Sequence, residues 1–371
     1  MLSRNWDKNT GKYILHLTLI LSTIGIIMIF DSSTVMTSKK GLGFFYFLKL
    51  SSLRVIVGIF LMWIVSKIDY KLISKYATPI LLLAIFLLLT VKLIGFRWIN
   101  LYFFSFQPSE FGKFALIVFL AYRLSKVGDC AGEFFYNFLP LIAICSSVIL
   151  LVALQPSFGV AFAKLFTCFF ILLVGRVKLL HLITTVAVSC VGLVLMLLFS
   201  TYARQRLNSF INPDPNSDLV YQIGQSLIAI GSGKFIGRGL GQSGVKFGYL
   251  PEPHTDFIFS IIGEEFGFLG SIAVIGLFIL LIYLIIKVAI GANSRFGFYL
   301  AFGIAAHFFV HIIFNLYVIT RLMPTTGIPL PLISYGGTAL VLNFVYVGIL
   351  LNIAKQSRKE YEDGVARSLS C

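Results

Sequence analysis

The chain alternates long apolar runs with short polar connections. Runs of roughly 18–25 predominantly apolar residues recur from end to end, the length a bilayer core requires of a helix. Ten spans are predicted, over residues 13–30, 55–65 with flanks, 77–95, 109–124, 136–154, 158–175, 179–199, 266–286, 296–320 and 338–354. The second is the weakest, because Arg54 and Lys67 bracket a short apolar run. One connection differs in kind. Residues 200–256 form a long polar, Gly-rich segment between the seventh and eighth spans, and loops above about 15 residues are usually functional or disordered. It carries apolar stretches such as 227–230, so it is predicted to pack against the spans. The expected fold is an all-α polytopic membrane protein, a single domain over 1–371 that includes this large loop. No inverted internal repeat is visible.

Composition agrees with the pattern. The 371 residues are 58% hydrophobic and 12% charged, with mean hydropathy +0.93, well outside the range of soluble domains. Net charge is +15. No basic recognition helix or RNA-binding motif accompanies it, so nucleic acid is not an expected partner. The charge instead sorts by side of the membrane. With the N-terminus inside, the inner segments carry Arg4, Lys8, Lys12, Lys67, Lys71, Lys75, Arg123, Lys126, Arg176, Lys178, Lys287, Arg295, Lys355, Arg358, Lys359 and Arg367. The short outer segments carry Lys39, Lys40, Lys49, Arg54, Lys92, Arg97 and Arg321. The positive-inside rule therefore predicts both termini in the cytoplasm and residues 200–256 outside, an extracytoplasmic loop. The five cysteines, Cys130, Cys145, Cys168, Cys190 and Cys371, show no metal or redox spacing and read as apolar filler. Residues 1–12 are short, polar and basic, and the run after them lacks a small-residue cleavage site. It reads as a retained first span rather than a signal peptide.

Charge inside a membrane is costly and so marks a candidate site. Glu110 is the acid clearly inside a span. Pro108 and Ser109 resemble a helix start, and Glu110 and Lys113 then share a face at i,i+3. A neutralising ion pair that fixes the bundle and a polar site facing a cavity both fit. Asp256 lies where the outer segment re-enters the membrane. In a helix, Asp256, Ser260, Gly263 and Glu264 would line one face. An interfacial helix cap is one reading of Thr255 and Asp256. A carboxyl half out of water, with a raised pKa and work to do as a general base, is the other. The run 323–337 holds three prolines and three glycines, which prevent a continuous helix. Irregular backbone at that depth lines a cavity or is covered by protein, as a structural connector or as part of a site.

Several of these segments carry a longer signature. Tyr221-Gln222, Gln225-Ser226-Leu227, Gly239-Leu240-Gly241-Gln242-Ser243, Lys246, Tyr249-Leu250-Pro251-Glu252 and the run from His254 to Phe259 resemble the shape, elongation, division and sporulation family. So do Gly327-Ile328-Pro329-Leu330-Pro331, Ser334-Tyr335-Gly336-Gly337, Arg97-Trp98-Ile99 and Gln107-Pro108-Ser109-Glu110. The resemblance runs in order over most of the chain. It implies a glycosyltransferase that polymerises lipid II at the outer face of the bacterial inner membrane. It also implies a class B penicillin-binding protein as transpeptidase partner, alongside other membrane proteins of the division or elongation machinery. The family's essential aspartate falls on Asp256 and its paired charges on Glu110 and Lys113. Gln107, Gln222, His254 and Ser334 sit in the matching motifs as further cavity or substrate-binding candidates. The Gly-Leu-Gly-Gln-Ser run and Ile262-Gly263-Glu264-Glu265 are more similar to the division and sporulation branch. Two positions depart from the family pattern. Ser157 stands where an Asp usually follows Gln155-Pro156, and Asn100-Leu101-Tyr102 replaces a residue followed by Leu-Gly.

The chemistry so implied joins a sugar 4-hydroxyl to the anomeric carbon of a lipid-diphosphate sugar. Asp256 is the expected base. Arg97, Lys113, Arg204 and Arg206 are candidate cations for the diphosphate, a duty that a divalent cation such as Mg²⁺ or Mn²⁺ would share; no other cofactor is implied. A lipid-linked precursor flippase and a non-catalytic division scaffold are the alternatives. A flippase should place charge at several depths, whereas the spans carry clear charge at Glu110, Lys113 and Lys164.

Overall fold

In a bilayer every backbone N–H and C=O must be paired within the chain, so the apolar runs have helix as their way across. A computed structural model describes residues 9–369 apart from 40, 42, 96–97, 102–103, 129–132, 156, 176, 215–216 and 248–249. Each predicted run falls on a helix. In chain order these are α1 (Thr10–Lys39), α2 (Tyr46–Lys67), a short α3 (Tyr70–Lys75), α4 (Ala77–Ile94), α5 (Pro108–Val127), α6 (Leu139–Ala153), α7 (Phe158–Val174) and α8 (Leu179–Phe199). There follow α9 (Thr201–Ile211), α10 (Asp218–Ser232), α11 (Ile258–Gly291), α12 (Arg295–Ile319) and α13 (Gly337–Leu369). A π-helical turn, Phe134–Phe138, leads into α6, and a two-stranded hairpin, β1 (Ile99–Leu101) and β2 (Phe104–Phe106), precedes α5. Among the described residues, seven helices are long and apolar enough to cross a membrane, in α1, α2, α4, the π-turn with α6, α11, α12 and α13. The fold is thus all-α and polytopic. Helix α5 has the length but carries Glu110, Lys113, Arg123 and Lys126.

Burial sorts the helices into a centre and a rim. The apolar windows of α12 and α13 are 72% buried, against 22% for α2. Helix α5 is buried along most of its length. Rim helices turn large apolar side chains outward, such as Ile56 and Phe60 on α2 and Leu82, Phe86 and Leu93 on α4. A soluble protein would hide these, and lipid accepts them. The second span, predicted short, runs over all of α2 because Arg54, two turns into the helix, is accommodated against Tyr335 and Gly337 at the start of α13.

The long segment 200–256 is largely structured. Helix α10 is amphipathic and buries Ile223, Ser226 and Ala229 against α11 and α12. The packing predicted for 227–230 is therefore present through Ala229 and Ile230, while Leu227 and Ile228 point outward. Helix α11 is interrupted at Gly267, whose φ of 64° and ψ of −159° belong to glycine alone. The backbone groups freed there are taken up by the segment after α10. Arg238 N and Gly239 N donate to the carbonyls of Glu264 and Glu265 at 3.0 and 2.9 Å, and Phe268 N and Leu269 N donate to Lys234 O and Phe235 O at 3.0 and 3.2 Å. A break inside a span survives when protein replaces the missing bonds.

The run before α13 is irregular, as its prolines and glycines require, and mostly buried over 325–334. Its own turn satisfies part of its backbone. Ser334 N donates to Leu330 O, and Leu330 N donates to the Ser334 hydroxyl, both at 2.9 Å. Helix α1 passes against it so closely that a Cβ on Gly25 would stand 2.7 Å from Ile333 O. This re-entrant segment is therefore covered by protein.

Candidate active site

Asp256 lies in the turn that enters α11, two residues before the helix begins. Three struts hold that turn. Asn315 of α12 donates through Nδ2 to Asp256 O at 2.7 Å and to Ile328 O at 2.9 Å. Tyr335 N donates to His254 O at 2.9 Å. Ser226 of α10 donates to Ile319 O at 3.0 Å and meets the Ser260 hydroxyl at 2.6 Å. The entry turn, the re-entrant segment, α10 and the end of α12 are thus locked together around one carboxyl group.

That carboxyl is half-buried, and burial pushes its pKa up from the ordinary aspartate range. The Thr255 hydroxyl and the nearby Arg206 charge oppose the shift without cancelling it, and Glu252 adds slightly to it. The hydrogen bonds fit the same picture. Thr255 Oγ1 stands 2.7 Å from Glu252 O and 2.8 Å from Asp256 Oδ1, and a hydroxyl has one proton to give. A protonated Asp256 donates to Thr255, which donates onward to Glu252; an ionised Asp256 must compete for the same proton. The geometry thus suits a group that takes up and releases a proton.

Arg206, on α9, docks its Nη1 on Thr325 O and lays its guanidinium 4.7 Å from the Tyr202 ring centroid. Its Nε is buried with no hydrogen-bond partner among the described residues. It is the predicted cation that the fold brings to Asp256. Arg204 is exposed on the other side of α9, and Arg97 lies outside the described residues. Gln222 is half-buried one turn before Ser226 on α10. The His254 ring is buried between Phe47 and Tyr335, at 4.6 and 5.1 Å between centroids. The Ser334 hydroxyl closes its own turn, as above, and borders a small cavity with Lys113. Gln107 starts α5, accepting from Glu110 N at 3.0 Å and donating its own N–H to Thr338 Oγ1 at 3.0 Å.

Glu110 and Lys113 form the predicted i,i+3 pair at 2.8 Å, both buried. They are not at Asp256. Lys113 Nζ also lies 2.9 Å from His311 Nε2. His311 Nδ1 is 3.1 Å from His307 O, and a carbonyl only accepts. Nδ1 therefore carries the proton, and Nε2 accepts from Lys113. His307 Nε2 contacts Asn343 Oδ1 on α13 at 3.1 Å. The cavity beside this network measures about 10 Å³, room for one water. Lys164 on α7 is buried nearby, its amine with no hydrogen-bond partner among the described residues.

The predicted stripe of Asp256, Ser260, Gly263 and Glu264 does not form a single site. The helix begins after Asp256, Ser260 faces α10, and Glu264 accepts from Ser243 Oγ, Gly244 N and Arg238 at 2.5, 3.0 and 3.1 Å. Beside it, Lys246 joins Asp31 of α1 at 2.7 Å to Glu265 at 3.1 Å. Charge within the spans therefore includes Asp31, Glu264 and Glu265 as well as Glu110, Lys113 and Lys164. Sequence reasoning also passed over His307, His311 and Asn315, although their i, i+4, i+8 spacing on one apolar helix was a signal. Among the described residues, no three His, Cys, Asp or Glu side chains converge as a metal site. A cation held largely by diphosphate oxygens needs one or two protein carboxylates, which Asp256 and the neighbouring Glu252 would offer.

The comparisons follow the same lines. The family model described as cell cycle protein, covering FtsW, RodA and SpoVE, matches residues 12–359. The probable peptidoglycan glycosyltransferase FtsW of Geobacter sp. (strain M18) is 38% identical over 355 residues, covering 93% of this chain and 96% of that protein. Stage V sporulation protein E of Bacillus subtilis (strain 168) is 37% identical over 352 residues, covering 92% and 96%. A solved chain from a peptidoglycan synthase complex shares the fold with a TM-score of 0.76 at 23% identity, over 96% of this chain and 99% of that one. The rod shape determining protein RodA of Thermus thermophilus does so with a TM-score of 0.69 at 23% identity, over 95% and 98%. With that coverage and the motifs in order, the chain belongs to the FtsW, RodA and SpoVE family of cell cycle proteins.

Proposed function

We propose that this chain is a peptidoglycan glycosyltransferase that polymerises lipid II at the outer face of the inner membrane, with Asp256 as general base. The observation that carries the reading is the half-buried Asp256 carboxyl, raised in pKa by burial and set beside Arg206. The acceptor's sugar 4-hydroxyl gives its proton to the Asp256 carboxylate as its oxygen bonds to the donor's anomeric carbon. The bond from that carbon to the lipid diphosphate breaks, and the diphosphate leaves with the electron pair, supported by Arg206. A divalent cation bound by the diphosphate would supply further charge neutralisation. General-base catalysis accounts for about 10²–10⁴-fold of such a rate.

Ten spans with both termini cytoplasmic complete the reading, supported by the charge asymmetry of the connections. Helices α5, α7 and α8 join the seven apolar ones in it, and segment 200–256 is then extracytoplasmic. The similarity to FtsW and SpoVE proteins favours division over elongation. A class B penicillin-binding protein is the proposed transpeptidase partner, with other membrane proteins of the division machinery. A flippase is the second reading, favoured by charge at several depths, since Asp31, Glu264 and Glu265 join Glu110, Lys113 and Lys164 within the spans.

The test uses purified full-length chain and purified lipid II in detergent, where there is no membrane to cross, with and without the transpeptidase. Glycan strands on a gel support the polymerase. Lipid II consumed into no strands under either condition leaves the flippase or the scaffold.

A further inference from the structure

The stretch of chain that carries Asp256 is closed by side chains at its two ends. Lys246, in the short 3-10 turn Val245–Phe247, donates to Glu265 Oε1 at 3.1 Å across 19 residues of chain. Asp256 lies midway between the two. The main chain reinforces both ends of this clasp. Leu250 N donates to Val245 O at 3.2 Å on one side, and Arg238 N and Gly239 N hold the carbonyls of Glu264 and Glu265 on the other. Beyond Glu265 the helix breaks at Gly267. The stretch 258–266 is therefore a short stiff rod, with the Asp256 turn at one end and the clasp at the other.

The clasp is tied to α1. Lys246 Nζ meets both oxygens of Asp31, at 2.7 and 2.9 Å, closer than it meets Glu265. Folding alone does not call for that contact. Glu265 already neutralises the buried Lys246, and Arg238 serves Glu264. Asp31 brings a third acid to two bases among the described residues, and gathering like charges is unfavourable. What Asp31 adds is position. Helix α1 also presses on the re-entrant segment at Gly25, and that segment bonds to the Asp256 turn through Tyr335 N and His254 O. One helix thus fixes both structures that flank the carboxyl.

We propose that Asp31 is a positioning residue for Asp256, anchoring to α1, through Lys246, the clasp that closes the chain around it. This rests on the polymerase reading for its kinetic consequence. Its structural consequence stands apart from any activity, and the experiment measures both.

Full-length wild type, Asp31→Asn, Asp31→Ser and Asp31→Glu are prepared in nanodiscs, and thermal melting checks the fold. Amide hydrogen exchange is followed without substrate, and kcat and KM for lipid II are measured with the transpeptidase partner present throughout. Asp31→Asn is expected to melt close to wild type, since Glu265 still pairs Lys246. Its amides at Thr255 and Ser260, which bond to Glu252 O and Phe257 O, should exchange about 10-fold faster, because local opening of the turn becomes easier. Its kcat should fall about 10-fold, short of the roughly 100-fold that a full ångström of misplacement can cost, with KM within about 3-fold. The acidic limb of kcat should move to lower pH, because a looser carboxyl gains water and burial is what raises its pKa. Thr255, Arg206 and Glu252, which face that carboxyl, are unchanged by the substitution. Asp31→Glu keeps the charge and should recover most of kcat. If Asp31→Asn does not fold, Asp31→Ser carries the same expectation. Unchanged exchange at Thr255 and Ser260 in a folded variant overturns the proposal. So does faster exchange confined to 237–247 and the end of α1, which makes Asp31 a local ion pair only. Wild type that makes no strands from lipid II would sink the polymerase reading instead, and exchange would still decide the role of Asp31.

Discussion

Two of the regions that hold buried charge in this molecule are built on opposite plans. Inside the bundle, Glu110, Lys113 and His311 close on one another at 2.8 and 2.9 Å around space for one water. At the face of the bundle, Asp256 is half-buried, its nearest cation is docked on a backbone carbonyl, and Arg206 keeps a buried N–H without a partner. A charge whose partners are all protein groups is committed to the fold. A charge with unmet hydrogen-bonding capacity has a contact left to make, as Arg206 does at the surface and Lys164 does in the interior. On the proposed reading the first region is a structural ion pair and the second is the site, a division that residue type alone does not make.

The largest effect that would break this contrast is at Asp256. Asp256→Ala should lower polymerisation by about 10²–10⁴-fold while melting close to wild type, since the turn is anchored to α12 through its backbone by Asn315 and the carboxyl bonds only the adjacent Thr255. Glu110→Ala should do the reverse. It strands Lys113 in the interior and should cost about 3–5 kcal/mol of stability, read as lost folded protein in detergent melts. If Glu110→Ala melts normally and loses only activity, the interior pair belongs to the site after all.

Asn315→Leu comes next. It leaves the carbonyls of Asp256 and Ile328 without their donor, at about 1–3 kcal/mol for a buried unsatisfied group. We expect a modest loss of melting temperature and a fall in kcat with little change in KM, because the turn that aims Asp256 loosens. Equal loss of kcat and KM would argue against that positioning role.

How much of this could be read beforehand follows from the range of the interactions. The spans were legible because bilayer thickness acts on consecutive residues. The Glu110–Lys113 pair was legible because i,i+3 contacts are local. Its third member, His311, is 198 residues away, and nothing near Lys113 announces it. The same holds for Lys246, whose carboxylate partners lie on α1 and α11. The predicted stripe from Asp256 to Glu264 failed because helical periodicity was extended back past Ile258, where the helix starts. Asp256 itself was found through motif resemblance. Its spacing alone favoured a helix cap, and burial and Arg206 appear only when the chain is folded.

The smallest predicted effect sharpens the site most finely. Thr255→Val removes the hydroxyl that holds the Asp256 pKa down. It should move the acidic limb of the activity profile to higher pH without changing the plateau much. Arg206→Gln should move it the same way, since a neighbouring positive charge favours the ionised carboxyl, and should also lower the plateau.

The most direct measurement is the pH–rate profile of lipid II polymerisation by equal amounts of folded wild type and Asp256→Asn. A base must be ionised to work, so the wild-type rate should rise with pH through one ionisation above the ordinary aspartate range. The Asn variant, equal in shape and unable to take the proton, should be inactive at every pH. A wild-type rate and the same acidic limb in Asp256→Asn would contradict the assignment of Asp256 as the base.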